Sequence, residues 1–248
     1  VRDAEGHDYR EVNYLSQDVV YKEGAEARRI QFFHKEYAFI NTRDPIPLYV
    51  AANAPKAMAL AGEVGGGWLT SRTNTAPGWR EAWARVSQGA KKAGKDPASL
   101  NTVLFTTACL LRPGEGLDSA RVQAQAGPWT TVALHSLYET VQDPAAAPAS
   151  IQPTFAKYKA FMDQRLQAKD DYYFDLHDGH CLYVRAEEQQ FVTPDVIQAT
   201  TLTAQPEALL ERLRVLEHAG VKQVAFIPTF DAFEEFVTEF GEKIIARW

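Results

Sequence analysis

Residues 47–56, PLYVAANAPK, pass within a few positions from an apolar run to small residues, a proline and a lysine. PLYVAA reads as a short buried strand, and Ala57, Leu60, Ala61 and Val64 then recur at helical spacing. Asn53 and Pro55 stand where a helix start places them, and Gly62 with Gly65 to Gly67 marks the helix end. A strand that runs straight into a helix, with no hairpin turn, constrains the fold most, because it is the repeating unit of parallel sheets.

The unit recurs. GWLTS, residues 67–71, reads as a second strand, followed by a helix from about Pro77 to Ala93 that keeps Trp79, Trp83, Val86 and Ala90 on one face and closes at Gly94. TVLFTTACLL, 102–111, reads as a third strand. A Leu-rich helix from near Pro206 to Gly220 precedes a fourth, QVAFI, 223–227, and a last amphipathic helix carries Phe233, Phe236, Val237, Phe240 and Ile244. Short strands alternating with helices indicate parallel β/α units. Residues 128–200 break this rhythm: QDPAAAPAS, 142–150, reads as loop and the aromatic-rich 155–174 as helical. The expected organisation is one domain over 1–248, with a connecting segment (1–45), β/α units (46–127), an insertion (128–200) and a last β/α unit (201–248).

With 46% hydrophobic residues in 248, the chain can bury a substantial core. Its net charge of -6 and lack of a long basic block argue against nucleic acid or an anionic membrane as partner, so a small-molecule substrate is expected. No apolar run approaches the roughly 20 residues needed to cross a bilayer. Cys109 and Cys181 lack paired zinc-site spacing and read as reduced thiols, which with the absence of a signal-like h-region in VRDAEGHDYR gives a cytoplasmic expectation. That beginning has no initiator methionine and reads as a trimmed or partial product.

Ligands of parallel β/α proteins bind beyond the carboxyl ends of the strands, and AANAPK lies at such an edge. Small side chains at Ala51, Ala52 and Ala54 let a ligand approach the main chain, N–H groups at the helix start suit a phosphate, and Lys56 adds charge. The same small residues equally suit tight strand-to-helix packing, and composition leaves both open. Arg72, just past a strand end, is the one nearby cation placed to draw in an anionic cofactor tail, since Lys91, Lys92 and Lys95 end a helix.

IPLYVAANAPKAMALAGEVGGGWLTS resembles the strand–helix–strand signature of the bacterial luciferase-like oxidoreductases, P-x-Y-V-A-A-x-G-P-K-A-L-x-L-A-G-x-x-x-D-G. FVTPDVIQATTLTAQPEALLERLRVLEHAGVKQVAFIP is similar to that family's closing helix and last strand. Two positions depart from the signature: Ala54 stands where the family has Gly, and Gly66 where it has Asp. The resemblance implies an α/β fold of the (β/α)8 TIM-barrel type, with this chain covering mainly the second half of the barrel plus a helical insertion. Half a barrel implies a homo-oligomer or a partner that supplies the missing half. It further implies coenzyme F420 or FMN as cofactor, with hydride transfer between reduced deazaflavin and a small organic substrate as the expected reaction. An FMN-dependent monooxygenase is the second reading, and a non-catalytic half-barrel binding or assembly subunit is a third, of another class. Carried across by the motif, Ala51, Ala52, Asn53, Gly67, Thr70 and Ser71 would hold the ring and its phosphate. The ring-contacting residues of the family's first strands have no counterpart here.

YFDLHDGHCLY, 173–183, crowds Asp175, His177, Asp178, His180 and Cys181 into one span. No metal is assigned, because no second ligand pair is visible. His177 and His180 are instead the catalytic candidates, as acid/base groups facing substrate. His34 reads as a structural residue of a β-hairpin, and His135 and His218 as helix-surface residues. Trp79 and Trp83 read as core, and Cys109 as packing rather than nucleophile. The sequence carries no G-x-G-x-x-G, G-x-S-x-G or H-E-x-x-H pattern.

Overall fold

The structure is a computed structural model in which residues 19–23, 26–30, 47–71, 73–166 and 172–248 are described. The chain divides into two units, Val1–Pro47 and Leu48–Trp248. In the first, β1 (Val19–Glu23) and β2 (Glu26–Ile30) pair antiparallel, with Val19 opposite Ile30 and Glu23 opposite Glu26. His34 and the hairpin expected around it lie outside the described residues.

The second unit is built on a four-stranded parallel sheet in chain order: β3 (Tyr49–Ala51), β4 (Gly67–Thr70), β5 (Asn101–Thr106) and β6 (Gln223–Phe226). Tyr49 pairs with Gly67, Gly67 with Asn101, and Val103 with Gln223. Among the described residues β3 and β6 are the outer strands of this sheet. The crossovers are helical, as parallel pairing demands: α1 (Pro55–Val64) joins β3 to β4, and α2 (Ala76–Lys92) joins β4 to β5. Between β5 and β6 come α3 (Ala120–Thr140), α4 (Gln152–Arg165), α5 (Tyr172–Leu176), α6 (Pro194–Thr200) and α7 (Pro206–His218). The last helix, α8 (Phe233–Lys243), follows β6.

Each helix over the sheet buries the face that its apolar spacing defines. Trp68 of β4 and Trp79 of α2 are fully buried, 4.8 Å apart, and Trp83 lies 6.3 Å from Trp68. Leu104, Leu209, Leu210, Leu216 and Phe240 extend this core across the sheet. At the ends of α2 and α7, Gly94 (φ 72°) and Gly220 (φ 102°) take left-handed backbone that favours glycine. There Lys95 N donates to Ala90 O, and Val221 N to Leu216 O, closing the paired Schellman bonds.

Two elements differ from the sequence expectation. Gly62 lies inside α1, not at its end, because it serves packing: a Cβ there would fall 1.9 Å from the Val86 carbonyl oxygen, and one at Gly89 of α2 1.8 Å from that of Ala59. The third strand stops at Thr106, not at residue 111. Beyond it the backbone turns to a new partner, with Leu202 N donating to Thr107 O, Ala204 N to Cys109 O, and Cys109 N to Thr203 Oγ1.

The stretch 128–200 is helical at both ends, and its starting point falls within α3, which runs on through buried Pro128. Its own core gathers Leu134, Phe155, Tyr158, Met162 and Phe191. Beside it, Arg121 of α3 donates to Glu115, to Glu235 and to the Leu110 carbonyl, so one guanidinium joins three segments. The Arg121 hydrogen bonds hold the Glu115 carboxyl well below its usual range, at about 2. Among the described residues no helix is long and apolar enough to cross a membrane.

Candidate functional site

At the carboxyl ends of β3 and β4, Asn53 ties the two strands together. Its Oδ1 accepts from Thr70 Oγ1 (2.7 Å) and Ser71 N (3.1 Å), and its Nδ2 donates to Ser71 Oγ (3.2 Å). Thr70 is fully buried, whereas Asn53 and Ser71 are exposed, so the network has a fixed base and an accessible rim. Just beyond it, α1 begins at Ala54 with no side-chain cap on its first N–H groups and no acidic residue in its first turn. Those groups keep the partial positive charge of a helix start. The residue that replaces the family glycine here costs no backbone strain, since Ala54 (φ -97°, ψ 151°) is ordinary extended chain.

A cavity of about 350 Å³ opens beside this rim. Asn53, Ser71, Thr73 and Asn74 give it a polar edge, and Trp129, Val132, Ala133 and Leu137 of α3 give it an apolar wall. Asn74 Nδ2 donates to Thr201 O (3.0 Å) and Trp129 Nε1 to Thr200 O (3.2 Å), which fixes the two walls to the α6 end. Trp129 also meets Phe105 of β5 edge-on, with ring centres 5.4 Å apart. A few polar groups on one side and an apolar wall on the other are the usual make-up of a site for a flat organic ligand.

The structure brings together Asn53, Thr70 and Ser71 from the sequence candidates. Ala51 is exposed at the end of β3. Ala52 is 2% exposed and faces the helical core; its N donates to Leu69 O and its carbonyl accepts from Trp68 Nε1 (2.9 Å). Of the two explanations left open for the small residues, packing accounts for Ala52. Gly67 sits at the opposite, amino end of β4, where a Cβ would strike the Tyr49 ring at 2.6 Å. The second departure from the signature, Gly66, lies at that same end, its N donating to Leu48 O, so it does not touch the Asn53 rim. Arg72 lies outside the described residues.

His177 and His180 are not among the residues lining the cavity. They sit with His135 against a different face of α3: His177 Nε2 is 3.2 Å from Glu139 Oε1, and His135 Nε2 is 3.3 Å from Glu188 Oε2. Residues 135 and 139 are one turn apart, on the side of α3 that flanks the edge of the cavity stripe. His135 is a correction to the surface expectation, since it is 1% exposed, paired with Glu188 and stacked near Tyr158. His180 is held below its usual pKa by burial and then by His177 and His135. His218 is exposed, as expected, with Nδ1 2.6 Å from Arg214 O. Cys109 is fully buried in the core and burial pushes its thiol up to about 12, which keeps it protonated and supports packing over nucleophilic chemistry.

The sequence reading named none of the wall residues of α3 individually. Trp129, Val132, Ala133, Ser136, Leu137, Thr140 and Val141 recur at i, i+3, i+4, i+7 and i+8 spacing, a helical stripe visible once Pro128 is not taken as a break.

Residues 10–223 match the family model described as luciferase-like monooxygenase. The chain belongs to the luciferase-like monooxygenase family. Among solved structures it is similar to the coenzyme F420 dependent tetrahydromethanopterin reductase of Methanopyrus kandleri, at 17% identity over 82% of this chain and 51% of that one, with a TM-score of 0.50. It is also similar to an F420-dependent secondary alcohol dehydrogenase, at 17% identity over 88% and 52% of the two chains (TM-score 0.43). The EDTA monooxygenase of Chelativorans sp. BNC1 matches at 14% identity over 80% and 44% (TM-score 0.42). This luciferase-like chain therefore spans about half the length of the structures it matches, at 51% of the first. Its fold is of the family's TIM-barrel type, and its parallel sheet with flanking helices is a part of that barrel.

Proposed function

We propose that this chain is a luciferase-like oxidoreductase subunit that holds coenzyme F420 at the carboxyl ends of β3 and β4 and uses it on a small organic substrate. The observation that carries the reading is the cavity of about 350 Å³ between the Asn53–Ser71 rim and the α3 wall. Its volume lies at the lower end of the range for small-molecule sites, about 300–1,000 Å³, which suits a flat ring system rather than a whole extended coenzyme. Polar rim, apolar wall and an uncapped helix start nearby fit the ring and anionic parts of F420 or FMN.

When bound, a reduced deazaflavin supplies a hydride, and a reduced flavin the means to activate oxygen. The chain's own residues bind and orient. Asn53, locked by Thr70 and Ser71, presents a rim whose geometry does not have to be ordered on binding. Trp129, Val132 and Leu137 exclude water from the face opposite, so that polar contacts inside the cavity strengthen. Gly67 and Ala52 are assigned structural roles in this reading, and His177 and His180 none in the transfer itself.

The preference for F420 over FMN rests on the sequence resemblance; an FMN-dependent monooxygenase uses the same cavity. The outer edges of β3 and β6 and the 92% exposed Phe230 favour assembly with a second copy or a partner chain, a reading compatible with catalysis and with a purely structural subunit. Asn53→Ala tests the rim. It removes the tie between the strand ends while leaving the core untouched, and it is expected to weaken F420 or FMN binding about tenfold with an unchanged circular dichroism spectrum. Each lost hydrogen bond contributes about 1 kcal/mol. Equal affinity in wild type and variant, measured by fluorescence titration, rejects the assignment of this rim.

A further inference from the structure

The three histidines outside the cavity form a constellation of their own. His135 comes from α3, His177 follows α5 and His180 lies in the turn after it. One ring nitrogen from each lies within 4.8 Å of the others. His135 and His177 have ring centres 5.4 Å apart, and His177 and His180 5.3 Å.

Two of the rings also set one nitrogen against a carboxylate. His135 Nε2 faces Glu188 Oε2 at 3.3 Å, and His177 Nε2 faces Glu139 Oε1 at 3.2 Å. A carboxylate beside Nε2 favours the tautomer with the proton on Nε2, which leaves the Nδ1 lone pair free to bind. Both Nδ1 atoms are buried without a hydrogen-bond partner, although His135 is 1% exposed. Two basic lone pairs placed beside a third imidazole and away from any donor are unfavourable in an empty protein interior. A cation supplies the missing partner. The carboxylate–imidazole–metal arrangement is also how proteins fix the tautomer of a ligating histidine.

Charge supports the same conclusion. Glu188 is buried, and the Glu139 carboxylate is exposed behind His177. Two carboxylates behind the imidazoles are the acidic partners that proteins place around a divalent ion. Imidazole ligands favour zinc and its late transition-metal neighbours over magnesium or calcium, which take oxygen.

We propose that His135, His177 and His180 form a three-histidine site for a divalent transition metal, Zn²⁺ by preference, that clasps the 172–183 segment to α3. Zinc–nitrogen bonds of about 2.0–2.1 Å place tetrahedral ligand nitrogens on the order of 3.3 Å apart. The cluster therefore contracts on binding by small side-chain rotations, most freely at exposed His180. The fourth position is left for water. The sequence pattern hid this site because its third ligand stands some 40 residues earlier on α3, where no short motif announces it.

The test is a titration of the chelator-treated full chain with Co²⁺, followed by visible absorption, and with Zn²⁺ in competition with a chromophoric chelator. The expected result is one ion per chain, d–d bands of a low-coordinate nitrogen site, and displacement of Co²⁺ by Zn²⁺. His180→Ala, at an exposed position, keeps the fold and weakens Zn²⁺ binding at least 100-fold; His177→Ala does the same. No cobalt spectrum from the folded wild-type chain overturns the proposal, as does zinc affinity unchanged in both folded variants. Because the readout is metal binding alone, it stands apart from the coenzyme assignment.

Discussion

Ala52→Asp strongly destabilises the protein, while Ala51→Asp one residue earlier leaves its stability nearly unchanged. Ala52 is 2% exposed, packed with Trp68 and Met58 under α1, and its main-chain groups are already committed to Leu69 and Trp68. A carboxylate there replaces a methyl group in an apolar cluster, and an uncompensated buried charge costs about 3–5 kcal/mol. That is a large part of the 5–15 kcal/mol by which domains are stable. Ala51 is exposed, so its replacement only adds a solvated charge at a strand end. Denaturant unfolding of the two variants reads the contrast directly, and an Ala52→Asp midpoint equal to wild type contradicts the placement of this strand.

The second large effect reverses the ordinary sign of a helix substitution. Gly→Ala within a helix usually gains about 1 kcal/mol. At Gly89 the added carbon falls 1.8 Å from the Ala59 carbonyl oxygen, and the clashing atom is backbone that no rotamer change removes. Helices α1 and α2 must then move apart, opening the Trp68–Trp79 core between them and the sheet. Gly89→Val, with two more methyl groups, is expected to lose about 3 kcal/mol or more. Gly241 of α8, where an added carbon meets nothing within 4 Å, is the control, and Gly241→Ala is expected to be neutral or stabilising. Equal behaviour at the two positions contradicts the close approach of α1 and α2.

These two cases show which parts of the molecule the amino-acid pattern exposes. Strands and helices over the sheet are readable because local period and burial agree: Trp79, Val86 and Ala90 share a helical face and all three are buried. Gly94 and Gly220 mark helix ends because only the local backbone angle matters there. Gly62 misleads, since its reason for being glycine is a neighbouring helix that composition does not reveal. Thr107 to Leu111 likewise look like more strand, and only tertiary pairing with 202–204 ends the sheet at Thr106.

The candidate site divides the same way. Its rim, Asn53 with Thr70 and Ser71, is legible because it sits at the ends of two recognisable strands. Its wall is not, because α3 crosses Pro128, a residue that removes one backbone donor and ordinarily argues against helix. His135 reads as surface from its neighbours and is buried only because Glu188, 53 positions on, supplies its partner.

The measurement that tests the central claim most directly is a fluorescence titration of the wild-type chain and of Ala133→Trp with F420 and with FMN in parallel. Ala133 lies on the α3 wall of the cavity, and an indole there fills the space the ring is assigned. The account predicts saturable binding of one coenzyme by the wild-type chain and loss of that binding in a variant that keeps its circular dichroism. Binding of neither coenzyme by the wild-type chain, or undiminished binding by the folded Ala133→Trp variant, contradicts it.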